Sequence, residues 1–409
     1  MLAPRLPPMI LTGSALLERF QALDALLLAH QHLWRPKPFT SLRLDWEQEH
    51  AELAHWLRGR SLEQAEAAHN QPHLMAGAPA PFPQLAASTQ TLSQLHELPG
   101  NPSEALPARY SVDVPGRKWQ QIEAFSSRLQ FHRQPSHWLD WCAGKGHLGR
   151  LLAHRGAELT CLEFNPELVG SGQQMSDHLH IRARHLQQDV MAGDTATHLR
   201  ADHTPVALHA CGDLHVRLLQ LASANGCQQL AVAPCCYNRI ATAHYQVLSR
   251  AAQGSRLHLS LDDLRLPLSE TVTAGQRQRL QRDQSMARRL AFDLLQRELR
   301  GSDNYLPTPS LPVSWLHKDF ASYCRDLAEL KGLRVDTAVD WSTLERRGWQ
   351  RLAEVRNLEL LRDLFRRPLE IWLALDRALY LQEQGYAVQL GTFCPHSLTP
   401  RNLMLLAER

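Results

Sequence analysis

The segment Asp140-Trp141-Cys142-Ala143-Gly144-Lys145-Gly146-His147-Leu148-Gly149 brings an acidic side chain, three glycines and a lysine into one short stretch. His137 to Trp141 reads as a strand that runs into this glycine loop, and Leu148 to Ala153 opens a helix. Glycine is wanted where a backbone must approach a ligand with no Cβ in the way. A helix start adds unpaired N–H groups and the positive end of a dipole. Strand, glycine loop and helix together predict a site for a nucleotide-bearing cofactor.

The string also satisfies Gly-x-Gly-x-x-Gly, the dinucleotide fingerprint. NAD and S-adenosylmethionine therefore compete at this point. Either one needs an acidic residue at the end of the second strand to hold ribose hydroxyls, and Glu163 stands there, on the order of 20 residues after the loop. Three features separate the two. Asp140 precedes the glycines, awkward beside a pyrophosphate but useful beside the amino group of a methionine moiety. Asp189 ends the third strand, where it can accept from an adenine amino group. The chain ends on two strand-like runs in tandem, as methyltransferase sheets do and dinucleotide-binding sheets do not. S-adenosylmethionine is the expected cofactor, with Asp140, Ala143, Gly144, Lys145, Gly146, Glu163, Asp189, Val190 and His209 as the residues expected around it.

In open α/β sheets ligands sit outside the carboxyl ends of the strands. The fourth and fifth strands are expected beside the first. They end in His209-Ala210-Cys211-Gly212-Asp213 and Pro234-Cys235-Cys236-Tyr237-Asn238. Methyl transfer from a sulfonium needs mainly a positioned nucleophile and, for some acceptors, removal of a proton. His209 or Asp213 can take that proton, and Tyr237 can stack on a planar acceptor such as an unstacked base. The competing reading has His209 and Cys211 filling space under the cofactor and Tyr237 packing in the core. Cys235 can be a nucleophile toward a pyrimidine carbon, although its residue type reads first as a buried thiol. His209, Cys211, Cys235 and Cys236 are all zinc-type ligands. Adjacent cysteines rarely reach one tetrahedral ion and the spacing fits no zinc motif, so no metal is expected.

These residues need a framework to hold them. Ala157–Glu163, Ala183–Asp189, Val206–His209 and Gln229–Ala233 read as further strands. Helical patterns over 166–175 and 214–224 lie among them. Such alternation predicts a doubly wound, Rossmann-like parallel sheet of the class I methyltransferase type. Tyr386–Phe393 and Asn402–Ala407, separated by a turn with Pro395, Pro400 and Arg401, predict an antiparallel hairpin closing it. Leu16, Phe20, Leu23 and Leu27 fall on one helix face, and Ser14 is a plausible N-cap. The reading is an N-terminal helical domain over 1–109 and a methyltransferase domain over 110–409. Pro99-Gly100-Asn101-Pro102 marks the linker, and a helical insertion occupies about 241–384.

The 409 residues carry a net charge of +3, with 44% hydrophobic and 21% charged residues, ordinary for a globular protein. No apolar run reaches the about 20 residues that span a bilayer. The start, with Arg5 and prolines before a short amphipathic stretch, is a poor signal peptide. A cytoplasmic protein with no membrane partner is expected, and its eight cysteines should be thiols.

The loop at Asp140, His209-Ala210-Cys211-Gly212-Asp213-Leu214 and Cys235-Cys236-Tyr237 resemble segments of a methyltransferase-like family. That family is related to the ribosomal RNA adenine dimethylase domain-containing protein, and the glutathione S-transferase C-terminal domain-containing protein belongs to the same group. Arg117-Lys118-Trp119-Gln120-Gln121-Ile122 is similar to a basic segment that family carries before the first strand. Leu266-Pro267-Leu268-Ser269 and Leu398-Thr399-Pro400-Arg401-Asn402 resemble later segments, so the likeness runs in order from about Val114 to Arg409. Departures are Pro234 where the family often has glycine, and Gln120-Gln121 where it usually has His-Glu. The resemblance implies the fold and the cofactor more than the acceptor.

Arg277, Arg279, Arg282, Arg288 and Arg289 against Asp283 would give a helix over 276–289 a basic face fit for phosphates, although most such runs are merely solvated. With Lys118 and Arg401 this points to an RNA acceptor, and next to a protein one. Lys118, Asp213 and Arg401 are the candidate substrate residues; His209, Cys235, Cys236 and Tyr237 the candidate catalytic ones. The alternatives are a non-catalytic scaffold that binds cofactor or RNA through a degenerate methyltransferase fold, and an NAD-dependent oxidoreductase. No oligomeric state is assigned.

Overall fold

A computed structural model describes residues 10–101, 106–269, 276–335 and 338–409. Arg5 with its neighbouring prolines, and Pro102 of the expected linker, lie outside the described residues. Eight strands form one sheet: β1 (Leu11–Thr12), β2 (His137–Trp141), β3 (Glu158–Glu163), β4 (Ala183–Gln187), β5 (His203–Cys211), β6 (Gln229–Cys235), β7 (Ala387–Thr392) and β8 (Leu403–Glu408). Their order is β1-β7-β8-β6-β5-β2-β3-β4. The pairs joining β4, β3, β2, β5 and β6 are parallel. β8 runs antiparallel between β6 and β7, which is the expected closing hairpin.

All residues of β2 and of β6 are buried. That is the mark of a parallel sheet covered on both faces, and it explains why these strands read as apolar runs rather than as alternation. From β2 the chain winds outward through β3 to β4, then returns to place β5 on the other side of β2. The reversal opens the crevice at the carboxyl ends of β2 and β5. β6 pairs with β5 and β8, so it is one strand removed from β2, not its neighbour as expected.

The chain divides into two compact units. One comprises 1–28, 91–269 and 367–409 and holds the whole sheet; the other comprises 29–90 and 270–366. These boundaries differ from those read in the sequence. The helix Ser14–Ala29 falls with the sheet over nearly all its length, because Leu11 pairs with Leu390 and the buried Arg19 donates to the Leu92 carbonyl at 2.8 Å. Most of the helix Arg366–Glu383 also falls there. Ile371, Trp372, Leu373, Ala374 and Leu375 are all buried, and a helix buried all round needs cover on every side. Residues 241–269 are chiefly irregular, with only the short helix Arg250–Gln253 and a 3₁₀ turn over Asp263–Leu268. In the second unit the helices Gln276–Arg300, Phe320–Leu330 and Trp341–Asp363 pack around Phe292, Leu295, Tyr323, Leu327 and Leu344.

Candidate active site

The glycine loop is tied from below and from the side. Asp140 is buried, and its Oδ2 accepts from the Gly149 N–H at 2.9 Å. Burial pushes its carboxyl up to about 7. Asp140 therefore caps the start of the helix His147–Ala153 from inside instead of standing in the crevice. Arg150, also buried, donates to the Lys145 carbonyl and to His147. The Ala143 N–H donates to the Leu162 carbonyl at 3.0 Å. Gly146 has φ +72, and a Cβ there would lie 2.5 Å from His185. Its need for glycine thus comes partly from His185 packing underneath, not only from a ligand above. A Cβ on Gly144 would meet nothing within 4 Å, so the space over that residue is open. Lys145 pairs with Asp113 at 3.3 Å.

Glu163, at the carboxyl end of β3, accepts from the Gly144 N–H at 2.9 Å and from the Asn165 N–H at 3.0 Å. One carboxylate thus fixes both the loop and the start of the next helix, while half open to solvent. Asp189 is exposed, two residues beyond β4, and accepts from the Met191 N–H at 2.9 Å; Val190 is buried beside it. Sequence reasoning missed Phe164 and Met191, which are 69% and 45% exposed. They follow the ends of adjacent strands, next to Glu163 and near Asp189. Exposed apolar groups there suit the faces of a planar ring. The available signal was an aromatic directly after the strand-end acid. Open backbone at Gly144, the Glu163 carboxylate and these two side chains fit an adenosine-bearing cofactor.

At the ends of β5 and β6 the backbone turns sharply. Five described non-glycine residues have positive φ, and three of them are at these strand ends: Cys142 and Cys236 directly follow β2 and β6, and His209 lies two residues before the end of β5. Such conformations cost about 1–3 kcal/mol each and gather at functional sites. The register of β5 on β6 slips between Leu208 and Cys211. That slip turns His209 outward, where it is exposed, and leaves Ala210 buried. The protein packed around the ring and then the Lys118 charge push His209 down to about 4, so it is neutral at pH 7.

Tyr237 and Asp213 do not stand where their sequence positions predict. Tyr237 is 0% exposed, edge-on to His215 and under the Arg377 guanidinium, so it cannot stack on an acceptor. The left-handed turn at Cys236 (φ +32) sends the next side chain inward. Asp213 holds a loop: its N–H donates to the Arg239 carbonyl at 3.0 Å, and its carboxylate accepts from the Ala241 N–H at 2.8 Å. Gly212 permits that arrangement, since a Cβ would stand 1.9 Å from the Arg239 carbonyl oxygen at φ +53. Gly212→Ala is expected to destabilise the protein by at least about 2 kcal/mol, read by urea unfolding. A change below about 0.5 kcal/mol would mean that the loop moves aside freely.

The cysteines differ from one another. Cys235 is buried, and Cys211 and Cys236 are half-buried. Bonding within the trio, with the Arg401 and Arg239 charges, lowers the Cys236 thiol; bonding and burial raise that of Cys235. A buried polar chain supports this end of β5. Arg377 donates to His215 at 2.6 Å, and the other ring nitrogen of His215 reaches the Ala210 carbonyl at 3.1 Å. Arg377 also donates to the Tyr245 hydroxyl at 3.0 Å, which donates to Asp376 at 2.5 Å.

The helix Gly116–Ser127 is anchored by Arg117, which donates to the Leu398 and Ser397 carbonyls at 2.8 and 3.0 Å. The two basic segments singled out in the sequence are thereby joined. Exposed Lys118 bears electrostatically on Asp140, His147 and His209, and Arg401 on Cys236. Arg239 was not foreseen, because its place follows from the Asp213 loop. The proposed basic helix face does not form as one surface. Arg282 pairs with Glu66 and Asp283, buried Arg288 donates to the Trp315 and Lys318 carbonyls, and Arg289 donates to Thr308. Only Arg277 and Arg279 of the five are exposed.

Residues 117–243 match the family model described as a methyltransferase domain. The match takes in the glycine loop, Glu163, His209 and the cysteine trio. Solved structures to which the chain is similar include a SAM-dependent methyltransferase from Agrobacterium tumefaciens (12% identity, 30% of this chain and 45% of the other, TM-score 0.24). Another is magnesium protoporphyrin IX methyltransferase from Synechocystis PCC 6803 with bound SAH (16%, 31% and 63%, 0.24). A third is coclaurine N-methyltransferase with N-methylheliamine and SAH (13%, 54% and 62%, 0.24). The chain spans between 45% and 63% of the length of these structures.

Proposed function

We propose that this chain, whose residues 117–243 form a class I methyltransferase domain using S-adenosylmethionine, methylates RNA at the carboxyl ends of β2, β5 and β6. One observation carries the reading. The Gly144–Glu163 clasp and His209 open on the same crevice end, and the cations Lys118, Arg239 and Arg401 bear on it. Gly144, Gly146, Glu163, Asp189 and Val190 would hold the cofactor with Phe164 and Met191, while Asp140, Ala143 and Lys145 position the loop. When bound, the cofactor supplies an electrophilic methyl group with a good leaving group. Neutral His209 accepts a hydrogen bond from the nucleophile and orients it. The cations attract a phosphodiester backbone. The likeness to relatives of the ribosomal RNA adenine dimethylase domain-containing protein agrees with this fold and cofactor. The thiols suit the reducing cytosol. Among the described residues no helix is long and apolar enough to cross a membrane.

Calorimetric titration with S-adenosylmethionine is the first test. Glu163→Ala removes two hydrogen bonds to a charged acceptor at the loop. It is expected to weaken binding about 10- to 100-fold, with NAD⁺ giving no heat for either protein. Equal affinities would sink the Glu163 assignment. Methyl transfer to total RNA is then expected, lost in His209→Ala. Transfer to protein alone would overturn the RNA reading. Cofactor binding with no turnover on either would make the chain a scaffold.

A further inference from the structure

We propose that Cys211, Cys235 and Cys236 form a three-thiolate site for a zinc-class metal ion at the ends of β5 and β6. The sequence argues against it, since adjacent cysteines rarely reach one tetrahedral ion and the spacing fits no zinc motif. The structure removes that objection. Cys236 has φ +32, outside the strand conformation, and its sulfur turns back to the side of its neighbour. The three sulfurs lie within 4.8 Å of one another, with Cys211 and Cys235 at 3.5 Å. Zinc–sulfur bonds of about 2.3 Å in tetrahedral geometry place sulfurs about 3.8 Å apart. Only tenths of an ångström of adjustment separate the Cys211–Cys235 pair from that arrangement.

The ligands sit on a rigid base. Cys211 and Cys235 are paired across β5 and β6. His215 holds the Ala210 carbonyl just before Cys211, and Gly212 lets the Arg239 loop close behind it. His209 does not join the group, so the fourth position is left to water or to an incoming acceptor. Three open-ended ligands and one exchangeable position are the pattern of a reactive rather than a purely structural zinc. Metal entry expels the thiol protons still present. Three thiolates around a divalent ion leave one net negative charge, which Arg239 and Arg401 are placed to balance. A redox pair is the competing use of these sulfurs, but a disulfide needs about 2.05 Å between them and a matching shift of backbone.

The site does not depend on methyl transfer, so its test reads metal directly. The full chain is stripped with a chelator under reducing conditions and titrated with Zn²⁺ against a chromophoric indicator, then with Co²⁺. One ion per chain and an intense thiolate-to-cobalt charge-transfer band are expected. Cys211→Ser and Cys236→Ser, at half-buried positions, should each weaken Zn²⁺ by more than about 100-fold with unchanged circular dichroism. Should either variant lose its fold, the wild-type cobalt spectrum decides alone. Absence of uptake, cobalt without the thiolate band, or undiminished affinity in both folded variants would overturn the site. So would a protein that takes up no metal and has a mass two daltons low after reduction, the signature of a retained disulfide.

Discussion

Arg377→Met is expected to destabilise the protein by about 3–5 kcal/mol, the usual loss when one member of a buried charged network is removed. Arg377 is fully buried and donates to His215, the Tyr245 hydroxyl and the Leu373 carbonyl. Across the Tyr245 hydroxyl lies Asp376, equally buried, which also accepts from the Leu248 and Ser249 N–H groups and the Ser249 hydroxyl. Losing the guanidinium leaves that carboxylate in the core with no cation nearby in the chain of bonds, and leaves His215 with one free ring nitrogen. Urea unfolding of wild type, Arg377→Met, Asp376→Leu and the double variant checks this. The double variant should cost clearly less than the sum, because removing both charges leaves neither uncompensated. Strict additivity would mean that the two residues do not act as one network. A second consequence follows for the site. His215 bonds the Ala210 carbonyl, so Arg377→Met should lower turnover more than it weakens the cofactor.

Stability should also fall by a few kcal/mol between pH 6.5 and pH 4. His147, His185 and His203 are buried, at 8%, 8% and 3% exposure. Each is pushed down to about 4, in every case first by burial, with the Arg150 charge next for His147 and His185 and His137 next for His203. Above pH 6.5 these rings are neutral in both folded and unfolded chains, and their contribution is complete. As pH falls below 6.5 the unfolded chain binds protons that the folded chain refuses, and stability is lost until about pH 4. Each ring is worth about 1–2 kcal/mol after allowance for solvent screening. Asp140 works the other way. Its folded value of about 7 lies above the ordinary 3.8, so it adds stability as pH falls through the same range. Over that range Asp140 returns about 3 kcal/mol, against about 3–6 kcal/mol for the three rings together. The fully buried His215, pushed down the same way by burial and then the Arg377 charge, adds to the loss, so the net change is a decrease. Urea midpoints at pH 7.5, 6, 5 and 4.5 should therefore decline steadily, and His203→Gln should flatten the curve. Midpoints that hold until pH 4 would show that these rings accept protons in place.

Much of this protein was legible in the residues. The sheet strands, the closing hairpin and the spacing of Glu163 from the glycine loop all depend on period, turn chemistry and separation along the chain, which are local and readable in one dimension. The sheet unit runs through three separate stretches of chain, and periodicity tells which face of a helix is apolar, not which element will cover it. The basic residues over 277–289 look like one surface in the sequence because charge alone does not reveal a partner; Glu66, Trp315 and Lys318 supply partners from other segments.

Residue types and spacing specify a methyltransferase-type sheet with a glycine loop after β2, an acid at the end of β3, and reactive side chains at the ends of β5 and β6. Packing in three dimensions sets which way those side chains face. Left-handed turns at His209 and Cys236, and the slipped register of β5 on β6 between Leu208 and Cys211, bring the sulfur of Cys236 beside Cys211 and Cys235 and bury Tyr237. A single backbone rotation reverses the direction of a side chain. Whether the chain holds that rotation depends on contacts such as Arg377–His215–Ala210, made by residues far apart in the sequence.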